Sequence, residues 1–180
     1  MPWSARYLPL EGVRLNMVAG LGGVLIDEYG SSRGISNQDD RELLVHLRSL
    51  SEVVVTGGET ARLERYRKPK NASLAVITRR PTEIAEALVL TPPESKGVAA
   101  WTIAELERRE FRKILLEVGP SLALEFLQQD LVDEFCLTLT DGELETGRLV
   151  LERLGSKLSL SSSETIGKTL FTIWRRGNAK

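Results

Sequence analysis

The sequence is poor in residues that bind metals or form cross-links: it has one cysteine, Cys136, and one histidine, His46. A lone cysteine excludes an internal disulfide, and with a single histidine it cannot make up a zinc site of the Cys/His kind. Both residues are expected in packing or surface roles, and no metal is expected. Long apolar runs are missing too, since none approaches the roughly 20 residues of a membrane-spanning helix. The N-terminus has no charged segment leading into an apolar one, so a cytoplasmic protein without membrane contact is expected. An excess of one charge is also lacking: 24 basic residues stand against 25 acidic ones, which argues against a nucleic-acid interface. There is no internal repeat or low-complexity tract. What the 180 residues contain, at 42% hydrophobic, is enough apolar side chain for one sizeable core, so residues 1–180 are expected to form a single domain.

The most informative stretch runs from Lys113 to Glu134, KILLEVGPSLALEFLQQDLVDE. An apolar run, Ile114 to Leu116, leads through Glu117 and Val118 to Gly119. Pro120 then stands where a first helical residue would, with φ pre-set and no N–H to leave unpaired. Leu122, Ala123, Phe126 and Leu127 follow at helical spacing. The pattern predicts a buried strand, a glycine turn and an amphipathic helix whose N-terminus, at the carboxyl end of a strand, could take a phosphate or carboxylate. The plainer alternative is that Gly119 and Pro120 only make a tight connection.

Along the chain, residues 1–12, with Trp3 and Tyr7, read as an extended lead-in that packs its aromatics on the domain. Val13 to Ala19 alternates as a strand. Gly20, Gly22, Gly23, Gly30 and Gly34 then mark a loop that comes close to a ligand. Gly20 and Gly22 are not a dinucleotide fingerprint, because Leu25 stands where a third glycine is needed. Ser36 and Asp39 have capping-box spacing before a helix from about Asn37 to Leu50. Glu52 to Thr56 and Ser73 to Thr78 read as strands; the first runs into Gly57, Gly58, Glu59 and Thr60, then a two-turn helix. Arg79 and Arg80 either are a solvated pair or face a phosphate. Glu83 to Thr91 reads as a short helix and strand, and Val98 to Trp101 as a strand before a helix from Thr102 to Arg109. Asp133 to Thr140 reads as a strand, Asp141 to Gly147 as a polar loop, and Leu149 to Leu154 as a helical turn. Lys157 to Thr165 and Lys168 to Arg175 read as an antiparallel hairpin around Ile166 and Gly167.

Three of these motifs, Asn16 to Gly23 (NMVAGLGG), Val53 to Thr60 (VVVTGGET) and Leu116 to Val132 (LEVGPSLALEFLQQDLV), resemble the reductase domain of bacterial riboflavin biosynthesis. That domain belongs to the pyrimidine reductase family. The resemblance covers nearly the whole chain and implies a dihydrofolate reductase-like α/β fold: a mixed, mostly parallel sheet flanked by helices, with an antiparallel C-terminal hairpin. It implies NADPH-dependent hydride transfer to a pyrimidine or pterin-like ribosyl substrate, as in 5-amino-6-(5-phosphoribosylamino)uracil reductase. Carried over by position, it implies cofactor contacts from Ala19, Thr60, Gly119, Pro120, Ser121 and Leu122 and substrate contacts from Ser32, Arg48 and Glu117. The charges of Arg79 and Arg80 suit the 2′-phosphate of NADPH. The family's zinc deaminase domain has no counterpart, since neither His-x-Glu nor Cys-x-x-Cys occurs.

Relatives pair through the C-terminal region, so a homodimer is expected, with Leu158, Leu160, Leu170, Phe171, Ile173 and Trp174 presented at the contact. The chain departs from the family at Gly22, where an aspartate is usual, and at Glu64 to Arg67, where paired aspartates and a proline precede a phosphate-binding arginine. The Gly22 departure keeps open the alternative of a non-catalytic relative that binds a dinucleotide or a partner protein, and a purely structural module is a third possibility.

Overall fold

The computed structural model describes residues 5–81 and 84–177. Trp3 and the start of the segment expected at Glu83 lie outside them. Eight strands form one sheet: β1 (Gly12–Ala19), β2 (Val53–Gly57), β3 (Ser73–Ile77), β4 (Ala87–Leu90), β5 (Lys113–Leu116), β6 (Glu134–Leu139), β7 (Ser159–Ile166) and β8 (Thr169–Arg175). Their order across the sheet is β4-β3-β2-β5-β1-β6-β8-β7. The first six are parallel, and β8 and β7 close the sheet antiparallel. This is the mixed sheet with a C-terminal hairpin that the sequence implies.

Five helices cover the sheet: α1 (Gln38–Ser49), α2 (Gly58–Leu63), α3 (Val98–Arg108), α4 (Pro120–Gln128) and α5 (Leu144–Arg153). Side chains alternate across each strand, so the two faces carry separate cores. On one face Leu15, Val55, Leu116, Phe135 and Leu137 pack under α3, α4 and α5. On the other, Val54, Leu74, Leu115, Cys136 and Ile173 pack under Leu43 and Leu47 of α1, Ala61 of α2, and Tyr7 of the lead-in. His46 Nε2 lies 3.2 Å from the Tyr7 carbonyl, a structural contact.

A buried ion cluster ties β1, β6 and β8 together on the side of the sheet where β1 and β6 begin and β8 ends. Glu134, 1% exposed, accepts from Arg14 Nε at 2.5 Å and Arg175 Nε at 2.7 Å, and Arg14 Nη2 donates to the Leu8 carbonyl at 2.7 Å. The buried charge is therefore paired and hydrogen-bonded rather than isolated, the condition under which such groups are tolerated.

Several boundaries differ from the sequence reading. The cap of α1 is Asn37 rather than Ser36: Asn37 Oδ1 accepts the Asp40 N–H at 3.0 Å, and Ser36 Oγ bonds the Asp40 carboxylate instead. Val98 to Trp101 is the start of α3, not a strand. Ala99, Thr102, Ile103 and Leu106 face the core at helical spacing, and Glu125 of α4 reaches over to accept the Ala99 N–H at 2.9 Å. Helix α5 begins at Leu144, inside the expected polar loop, and its Gly147 lets the helix close on Trp174, whose ring carbon is 3.3 Å from where a Cβ would sit. Between Ile84 and Glu86 the chain turns without forming a helix.

The hairpin turns through Gly167 at φ 60°, but its apolar residues are not laid open. Leu170, Phe171, Ile173 and Trp174 are each at most 8% exposed, packed into the chain's own cores, and Leu158 packs against one of them. Only Leu160 is substantially exposed.

Candidate functional site

The strands β1, β2, β3 and β5 run parallel, so their carboxyl ends open on one side of the sheet, where a cleft of about 470 Å³ lies. Its walls include Asn16 to Val18 of β1, Leu25 and Ser32 of the first loop, Asp40 and Leu44 of α1, Gly57 to Thr60, Tyr66, Thr78 and Arg79, and Glu117 to Leu122. The glycine loop, the β2 turn and the β5 turn, legible separately in the sequence, thus meet in one place.

At the β5 end, Gly119 caps α4 with φ −66° and ψ 166°, and Pro120 is the first helical residue. The Gly119 backbone is therefore extended, not left-handed. A glycine is favoured here by close approach, since a Cβ would stand 3.2 Å from Thr60 Oγ1. Ala123 N–H donates to the Gly119 carbonyl at 3.0 Å and closes the first turn. The N–H groups of Ser121 and Leu122 precede it and have no acceptor within the helix. They stand at the positive end of the helix dipole, beside the Thr60 hydroxyl. A gap that a side chain would fill, bordered by amide donors and a hydroxyl, suits the pyrophosphate of a dinucleotide.

The opposite wall is a hydrogen-bonded network. Arg48 of α1 grips Glu117 with two bonds, Nε to Oε1 at 2.8 Å and Nη2 to Oε2 at 2.6 Å. The Tyr66 hydroxyl donates to Glu117 Oε2 as well, and the Arg48 guanidinium lies 5.3 Å from the Tyr66 ring centroid, within cation–π range. Burial pulls the Arg48 pKa down, but the hydrogen bonds and charge of Glu117 outweigh it and raise it. Burial, and then the Glu117 charge, push the Tyr66 hydroxyl well above its usual value, so it stays a donor. In the first loop, Ser32 donates from both Oγ, at 2.8 Å, and N, at 3.0 Å, to Glu64 Oε1.

Of the residues expected at the site, Ser32, Thr60, Arg79, Glu117, Gly119, Pro120, Ser121 and Leu122 line the cleft. Arg48 reaches it through Glu117. Ala19 and Arg80 are not among the lining residues: Ala19 is fully buried at the end of β1, where its carbonyl accepts the Thr140 N–H at 3.0 Å, and Arg80 is exposed beyond β3. Gly22, at φ 67°, also lies outside the lining, with nothing within 4 Å of its would-be Cβ. Glu64, Tyr66, Asp40 and Asn16 were not named as site residues from the sequence, although Glu64 and Tyr66 fall in the segment that departs from the family and Asn16 opens the first motif. The first two follow a short helix in a basic stretch that reads as solvated loop, and Asp40 reads as an ordinary acid in a first helical turn.

The chain matches the family described as the RibD C-terminal domain over residues 11–171. No curated protein matches the sequence. Among solved structures it is similar to a pyrimidine reductase-like protein of Corynebacterium diphtheriae, at 18% identity and a TM-score of 0.74, over 97% of this chain and 94% of that one. It is also similar to the riboflavin biosynthesis reductase of Saccharomyces cerevisiae, at 12% identity and a TM-score of 0.65, over 97% of both chains. Dihydrofolate reductase of Enterococcus faecalis, solved with NADP(H), shares the fold at 11% identity and a TM-score of 0.67, over 96% of this chain and 99% of that one. The fold is thus dihydrofolate reductase-like, and the protein belongs to the RibD C-terminal domain family.

Proposed function

We propose that this protein is an NADPH-dependent oxidoreductase that transfers hydride to a pyrimidine or pterin-like substrate bound against Glu117. The observation that carries this reading is the cleft itself, with a helix N-terminus on one wall and the Arg48–Glu117–Tyr66 network on the other. Gly119, Thr60 and the Ser121 and Leu122 amides would hold the pyrophosphate, and Arg79 would reach the 2′-phosphate. The cofactor, when bound, supplies the hydride. The chain's own residues position the reactants and exclude water, and holding two reactants in register accounts for a large part of the acceleration in such reactions. Arg48 and Tyr66 fix the Glu117 carboxylate, which has roughly one acceptor position left for a substrate N–H.

A homodimer joined along the open outer edge of β7 belongs to the same proposal, since an unpaired edge invites pairing with a second copy. A binding protein that keeps the fold without catalysis is the second reading, favoured by Gly22. Titration by nicotinamide fluorescence tests the cofactor, and turnover of 5-amino-6-(5-phosphoribosylamino)uracil and of reduced-ring analogues separates the two readings. Light scattering at the monomer mass over a wide concentration range would contradict the dimer.

A further inference from the structure

A second cavity, of about 970 Å³, opens beyond Tyr66, between the end of α2 and the connection from β3 to β4. Among the described residues, Tyr66 alone borders both it and the cleft. Five basic side chains line this cavity, Arg62, Arg65, Arg67, Lys68 and Lys70, all of them exposed. Glu86 is the one acid among the described lining residues, and Lys68 holds it at 2.5 Å. The side chains of Arg62, Arg65, Arg67 and Lys70 have no ion pair or hydrogen bond among the described residues. The protein as a whole carries a net charge of −1, so this is a local excess and not a general basicity. Elsewhere exposed arginines sit beside acids, as Arg108 and Arg109 do with Glu105 and Arg148 does with Glu145. Here the cations repel one another without such relief.

The base of the cavity is apolar. Ala61 is buried, and Tyr66 and Ile84 pack partly buried against the same core, while Pro69 and Pro81 add further apolar surface. A concave site with an apolar base and charged groups at its rim has the form of a small-molecule pocket, not of a flat contact surface. Its chemistry calls for two features in one ligand. Guanidinium forks bind phosphate oxygens in pairs, and several phosphates are needed to compensate four unpaired cations. A planar ring laid on the apolar base would remove that surface from water. An apolar molecule would leave the cations uncompensated, and a bare polyanion would leave the base wet.

We propose that this basic cavity is a second ligand site, separate from the cofactor cleft, that takes a nucleoside polyphosphate. Arg62, Arg65, Arg67 and Lys70 hold the phosphates, and the nucleobase covers Tyr66 and Ile84. Because the Tyr66 hydroxyl donates to Glu117, occupancy of the second cavity bears on the wall of the first.

The test follows the backbone amides of the full chain by NMR during titration with ATP, adenosine and inorganic triphosphate. ATP should shift the amides of Arg65, Tyr66, Arg67, Lys70 and Glu86, and added salt should weaken it. Adenosine, which lacks the phosphates, and inorganic triphosphate, which lacks the base, should each bind at least about tenfold more weakly. Arg67→Ala combined with Lys70→Ala should weaken ATP at least about tenfold, and Arg67→Lys combined with Lys70→Arg, which keeps both charges, should cost less. Folding of each variant is checked by its circular dichroism. No binding of ATP, shifts confined to the amides of Gly119, Ser121 and Leu122 in the cleft, adenosine or inorganic triphosphate binding as tightly as ATP, or unchanged ATP affinity in the folded alanine variant would each overturn the proposal.

Discussion

Arg48 and Glu117 hold each other in a two-pronged ion pair, Nε to Oε1 at 2.8 Å and Nη2 to Oε2 at 2.6 Å, across 69 positions of sequence. The pair joins α1 to the carboxyl end of β5 and builds the cleft wall opposite the α4 amino terminus. Glu117→Gln keeps the size of the side chain but removes its charge. The expected loss in kcat/KM is about tenfold to a hundredfold, by the usual conversion of roughly 1.4 kcal/mol per decade, with NADPH affinity unchanged. Arg48→Ala leaves the buried Glu117 without its counter-charge, held by the Tyr66 hydroxyl. It should destabilise the protein by about 3 kcal/mol in a urea titration, the low end for buried pairs because the Arg48 side chain is 25% exposed.

Arg79 lines the cleft, whereas Arg80 does not. NADPH is expected to bind at least tenfold tighter than NADH, a charge-assisted contact being worth roughly 1.5–3 kcal/mol. Arg79→Ala should bring the two affinities together, and Arg80→Ala should leave their ratio alone. An NADPH to NADH ratio left unchanged by Arg79→Ala would mean that this side chain does not distinguish the cofactors.

The departure at Gly22 has less consequence than its position in the motif suggests. A Cβ added at this left-handed position meets nothing within 4 Å, and a non-glycine residue there costs about 1 kcal/mol of backbone strain. Gly22→Asp should change turnover by less than about threefold. A larger gain in steady-state rate would show that the loop brings position 22 to the substrate.

Asp40 makes stability depend on pH in a direction fixed by its surroundings. Burial raises its folded-state pKa above the usual carboxyl value, assisted by Glu117 and opposed by Ser36, Thr138 and Arg41. A raised pKa means that the folded state favours the neutral acid. Its relative stabilisation is full below the unfolded pKa and is lost as pH rises through the folded one. Asp40→Asn should therefore raise the Tm more at pH 7 than at pH 3.5. A gain that is equal at both pH values would mean that the carboxyl titrates normally.

Most of the sheet is legible in the sequence because its strands alternate or run apolar and end at glycines: β1 at Gly20, β2 at Gly57 and the β5 turn at Gly119. Helices α3 and α5 were obscured at their starts for tertiary reasons. The α3 start, with valine and tryptophan, has strand-like composition, but Glu125 from another helix accepts the Ala99 N–H. The α5 start contains Gly147, a poor helix former kept for its contact with Trp174. Glu117 was reached through the family resemblance, with which its place at a strand end agrees. Its partner Tyr66, 51 positions away, could not be reached so, because only the fold brings the hydroxyl to the carboxylate.

The central claim is that the dinucleotide binds at the amino terminus of α4, where Gly119 leaves room beside Thr60. Valine at position 119 can adopt the observed extended backbone, but its Cβ would stand 3.2 Å from Thr60 Oγ1, and its methyl groups would fill the approach to the Ser121 and Leu122 amides. NADPH titration of folded Gly119→Val by nicotinamide fluorescence should show affinity reduced by more than about tenfold, equivalent to over 1.4 kcal/mol. A Gly119→Val protein that binds NADPH as tightly as the wild type would contradict this placement of the cofactor.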